Sequence, residues 1–63
     1  METFKTFPTS QEARTYRHQY GTGGWIFAPE HGKSILFPPE YYPTMIFHHP
    51  FTKGQSGELI GSQ

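Results

Sequence analysis

The chain has 63 residues, five Lys and Arg against five acidic residues, four His, and no Cys. That length supports one small domain. The missing thiols exclude disulfide scaffolds and thiolate metal sites, and the balanced charge excludes a polyanion-binding or acidic tail. No apolar run is long enough to span a bilayer or form a signal-peptide core, so the composition predicts a soluble, cytoplasmic protein with no membrane partner.

A domain this small buries only about 60% of the surface its unfolded chain exposes. Six Phe, four Tyr and one Trp compensate, and six Pro lower the entropy of the unfolded chain. With few aliphatic residues the core must be aromatic, and Phe4, Tyr16, Trp25, Phe27 and Phe37 are its expected members.

Residues 3–7 are β-rich and predict a strand that Pro8 ends. Thr9-Ser10-Gln11-Glu12 is a capping-box pattern, and a helix is expected from there to about Tyr20. Ala13, Tyr16 and Tyr20 recur at helical spacing and share a face. Gly21-Thr22-Gly23-Gly24 stops the helix, since glycine adopts the left-handed conformation that a helix end wants. Trp25-Ile26-Phe27 and Ile35-Leu36-Phe37 flank a Gly-containing turn and predict a β-hairpin. Alternation puts Trp25 and Phe27 on one face and Ile26 on the other. Pro38-Pro39 ends the second strand. Pro43 suits the first position of a helix, so 44–49 is read as a short helical turn, with a strand through Met45-Ile46-Phe47 as the alternative. Residues 54–63 are rich in Gly and Ser and predict a flexible tail outside a compact domain of residues 1–53. The expected class is α+β: a small β-α-β-β domain with a largely antiparallel sheet, one main helix and a short C-terminal helical turn.

Several patterns hint at chemistry and have plainer explanations. His18, His31, His48 and His49 lack the spacing of a zinc site, and His48 and His49 point apart in any regular structure. Gly32-Lys33-Ser34 resembles the end of a phosphate loop, but Phe27 stands where that loop needs Gly and a strand follows where it needs a helix. Gly21-Thr22-Gly23-Gly24 follows a helix, the reverse of a dinucleotide fingerprint. Pro38-Pro39-Glu40-Tyr41 spells a WW-domain ligand, yet it lies between two predicted elements where Tyr41 serves as core or hinge. No Cys or Asp is present, Ser10, Ser34, Ser56 and Ser62 fall in caps, turns or tail, and Glu30-His31 sits at a turn tip. No enzyme activity, metal or cofactor is therefore expected.

Two surfaces remain for binding. The first is the aromatic, proline-flanked segment 41–51, with Tyr41, Tyr42, Ile46, Phe47, His48 and His49 as expected contacts. Rigid aromatic anchors of this kind dominate protein interfaces. The second is polar, with Arg14, Arg17 and His18 on the main helix. The expected function is a non-enzymatic protein-binding module, with a homodimer allowed. Nucleic acid is the competing partner, contacted by aromatic stacking with Arg14, Arg17, Lys5 and Lys33, although neutral net charge opposes it.

The set Glu12-Ala13, Tyr16-Arg17, Gly23-Gly24-Trp25-Ile26-Phe27, Phe37, Pro43-Thr44, Ile46-Phe47, His49-Pro50, Gly54 and Gly57 resembles small proteins encoded by tailed bacteriophages and prophages. The resemblance spans residues 9–60 and rests on glycines, prolines and aromatics. It implies a phage-encoded inhibitor or modulator, active in the host cytoplasm, that docks on a larger host or phage protein. It carries no catalytic or binding residue with it.

Overall fold

The computed structural model describes residues 4–21 and 23–61. The elements in chain order are β1 (Lys5–Phe7), α1 (Ser10–Tyr20), β2 (Trp25–Pro29), β3 (Ser34–Phe37), α2 (Pro43–His48) and β4 (Gly57–Ile60). The four strands form one antiparallel sheet in the order β1-β3-β2-β4. The fold is thus the small α+β architecture expected, with one added strand.

Local chemistry accounts for the elements. Thr9 caps α1 in extended conformation, and its Oγ1 accepts the Glu12 N–H at 3.3 Å. Gly21 ends the helix at φ 61°, donating its N–H to the Arg17 carbonyl. The β2–β3 hairpin pairs Trp25 with Phe37, Ile26 with Leu36 and Phe27 with Ile35. Pro43 opens α2 after Tyr42 takes an extended conformation, which settles segment 43–48 as helix rather than strand.

The period of two divides the core between the sheet's faces. On one face Ala13, Ile26 and Leu36 form a buried cluster, with Phe7, Tyr16 and Ile60 packed against it. Helix α1 covers this face. On the other, Phe27, Ile35, Phe37 and Ile46 form a second cluster, joined by Phe4, Trp25, Tyr41 and Leu59. This face is covered by α2 and its flanking turns. All five expected core aromatics pack, but Tyr16 serves one layer while Phe4, Trp25, Phe27 and Phe37 serve the other. Tyr20, expected on one face with Ala13 and Tyr16, sets its ring 4.5 Å from that of Tyr16 in a tilted pair yet stays 60% exposed.

The expected flexible tail over 54–63 is corrected for Gly57–Ile60, which form β4 along β2. Without β4, the two-sided apolar run of β2 would be a sheet edge. Leu59 and Ile60 supply one side chain to each layer. Gly57 lets the two backbones meet: a Cβ there would lie 2.5 Å from the Ala28 carbonyl oxygen and 2.6 Å from Pro29 Cα. The compact domain therefore extends past residue 53 through β4. Residues 62 and 63 of that expected tail lie outside the described residues.

Candidate functional site

The segment after β3 begins with a turn closed by the Tyr41 N–H on the Pro38 carbonyl at 3.1 Å. Tyr41 then packs its ring 5.2 Å from that of Phe37 and is half-buried. Pro38-Pro39-Glu40-Tyr41 is thus folded into a turn with its Tyr engaged, which is not the extended geometry of a WW ligand.

In α2, Ile46 points into the sheet and is fully buried. Successive helical residues lie about 100° apart, so Met45 and Phe47 fall on either flank of Ile46. They are 48% and 43% exposed. Phe47 leans its ring edgewise against Phe27 at 5.8 Å and keeps its outer part in solvent. Tyr42, at the N-cap, is 71% exposed, and Phe51, just beyond α2, is 52% exposed.

His49 caps α2 at its C-terminal end and is half-buried. Its ring lies 5.1 Å from Phe4, 5.2 Å from Phe37 and 5.3 Å from Phe51. Its Nδ1 accepts the Phe51 N–H at 3.2 Å. Buried Thr52 closes the same turn by donating its hydroxyl to the Ile46 carbonyl. Together these contacts hold the segment on the sheet and turn its remaining apolar groups outward.

Of the expected contacts in this segment, Tyr42, Phe47 and His48 are exposed. Ile46 is corrected, because it belongs to the buried core, while Tyr41 and His49 are half-buried against the aromatic layer and keep part of their surface accessible. A six-residue helix has room for one deeply buried position, and Ile46 occupies it. Met45 and Phe51 belong to the exposed apolar set and were not among the expected contacts. Met45's signal was its place beside the buried Ile46, which requires the helix phase to be known, while Phe51 lies beyond α2.

The polar group on α1 does not form one site. Arg14 and His18 are exposed. Arg17 turns inward, where its Nη1 donates to the Gly24 carbonyl at 3.0 Å and the Gly61 carbonyl at 2.7 Å. It ties α1 to the start of β2 and the end of β4. Moreover, α1 and α2 cover opposite faces of the sheet, so the two expected contact sets cannot be one patch.

The other patterns have structural places. Gly32 sits in the hairpin turn at φ 115°, and Ser34 is buried in β3. Gly24 approaches β3 so closely that a Cβ would lie 2.2 Å from the Phe37 carbonyl oxygen. Among the described residues, no three of His, Cys, Asp and Glu come together in a way that could hold a metal ion, and no helix is long and apolar enough to cross a membrane. Comparison of the chain with family models, curated proteins and solved structures finds no match.

Proposed function

We propose that the protein is a non-enzymatic binding module that docks on a larger protein through the outer surface of α2 and its flanks. Tyr42 at the N-cap, Met45 and Phe47 on α2, and His48 at its end form that contact surface. The observation that supports this reading is the concentration of exposed apolar side chains here. Four of the five large hydrophobics exposed among the described residues, Tyr42, Met45, Phe47 and Phe51, fall within ten residues of chain. Exposed aromatic and Met side chains on a stiff backbone supply contact area at low ordering cost. Pro43 on one side, and the His49 and Thr52 hydrogen bonds on the other, provide the stiffness.

The module acts by occupying a site on its partner, as an inhibitor or modulator. The neutral net charge and the engagement of Arg17 with two carbonyls weigh against phosphate backbone binding.

The test is affinity capture from nuclease-treated lysate with the wild-type protein, the Tyr42→Ala/Met45→Ala double variant and Tyr20→Ala. Both variants carry substitutions only at exposed positions and should fold as the wild type does. A single protein retained near stoichiometric amounts by wild type and Tyr20→Ala, and lost with the double variant, is the expected result. Equal retention by all three would overturn the assignment.

A further inference from the structure

Strand β1 is the outermost strand on one side of the sheet, with β3 as its neighbour. Its open flank faces a groove of about 510 Å³ lined by Phe4, Lys5, Thr6, Phe7, Tyr16 and Phe51. Strand alternation sends Lys5 and Phe7 toward the α1 side and Phe4 and Thr6 toward the α2 side. The groove therefore wraps the edge. Phe7 and Tyr16, 5.4 Å apart, flank it on one side, and Phe4 and Phe51, 5.3 Å apart, on the other. The β1 backbone lies between them.

Lys5 is the charged side chain of this lining. Its ammonium stands 5.7 Å from the centroid of the Tyr16 ring, and no carboxylate among the described residues pairs with it. An open strand edge offers backbone N–H and C=O groups to another strand, and flanking side chains select what that strand carries. We infer that the β1 edge accepts an extended segment of a partner protein as a fifth strand, with an acidic side chain of that segment on Lys5 and apolar ones against Phe7–Tyr16 and Phe4–Phe51. The inference rests on the binding-module reading but centres this contact on the β1 edge, which shares only Phe51 with the exposed apolar set around α2.

A second copy of the chain fits the edge less well. Antiparallel self-pairing about Thr6 would set the two Lys5 residues diagonally on one face, roughly 7–8 Å apart, where like charges repel. A strand of three residues is only about 10 Å long, so self-pairing along it offers a short contact where a stable dimer needs roughly 800 Å² buried per partner. An acidic strand meets the same edge with complementary charge.

The experiment titrates the whole ¹⁵N-labelled protein with two capped synthetic peptides, Thr-Val-Thr-Glu-Val-Thr-Val and the same sequence with Lys in place of Glu. The expected result is amide shifts centred on Lys5, Thr6, Phe7, Tyr16 and Phe51. Apparent affinity should be about two- to fivefold higher for the Glu peptide, as an exposed ion pair provides. Lys5→Glu, at an exposed position, should reverse the preference. Equal affinity for both peptides, or no shift up to the solubility limit, would overturn the inference. So would shifts that follow protein concentration without peptide, which would mark self-association. Shifts confined to Tyr42, Met45 and Phe47 would overturn the edge site while leaving the α2 reading in place.

Discussion

Replacing Arg17 with Met removes two hydrogen bonds that close the fold across its ends. Nη1 reaches the Gly24 carbonyl, seven residues on, and the Gly61 carbonyl, 44 residues on. A hydrogen bond from a charged donor contributes about 1.5–3 kcal/mol. Against the pair stand the ordering of a long side chain, about 2 kcal/mol, and partial exposure, which weakens both bonds. The expected net loss is roughly 1–3 kcal/mol. A 63-residue domain has about 3–9 kcal/mol in total, so the loss is a large fraction. Arg14→Met is the control, because Arg14 lies exposed on the same helix and should change stability by no more than about 0.5 kcal/mol. Urea unfolding of both variants measures the difference. Hydrogen exchange then locates it, since the amides of β4 should lose protection before Ile35 does in Arg17→Met. Equal stability of the two variants, or uniform loss of protection across the sheet, would refute the role assigned to Arg17.

Other substitutions test other links. Ile46→Ala empties a fully buried position and should cost about 2–5 kcal/mol by urea unfolding; a change near zero would mean that α2 does not pack through Ile46. Thr52→Val keeps the shape but loses the hydroxyl donated to the Ile46 carbonyl, with an expected cost of about 1 kcal/mol. That cost should appear as faster exchange at His49 and Lys53, whose N–H groups bond within the same turns. Gly24→Ala combines φ 114° with a Cβ 2.2 Å from the Phe37 carbonyl oxygen. Strain and overpacking together should cost roughly 2–6 kcal/mol, enough to leave much of the chain unfolded by circular dichroism at 25 °C.

What could be read locally was legible in the sequence. The Thr9 cap, the Gly21 stop, the β2–β3 hairpin and the Pro43 start of α2 each depend on a few neighbouring residues, whereas the hairpin register that pairs Trp25 with Phe37 was open in the sequence. Strand β4 was not, because its pairing with β2 is long-range and its surroundings are glycine-rich. Its signal was Leu59 beside Ile60, two apolar residues that only a strand between two layers can bury on opposite sides. The candidate site was half legible. Aromatic density singled out segment 41–51, but a helix of six residues shows less than two turns of periodicity. Which of Ile46 and Phe47 faced inward therefore could not be read from spacing. Nor could Arg17 be separated from Arg14, since one of its partners is a carbonyl at the far end of the chain.

The central claim is that partner contact is made on the α2 side of the sheet. Tyr42 and Tyr20 serve as probes, because both are well exposed and they stand on opposite-face helical segments. A photo-crosslinking phenylalanine analogue placed singly at each position, irradiated in cells and followed by mass spectrometry, tests the claim directly. The account predicts a discrete protein adduct from position 42 and none from position 20. An adduct from position 20 alone, or from neither, would contradict it.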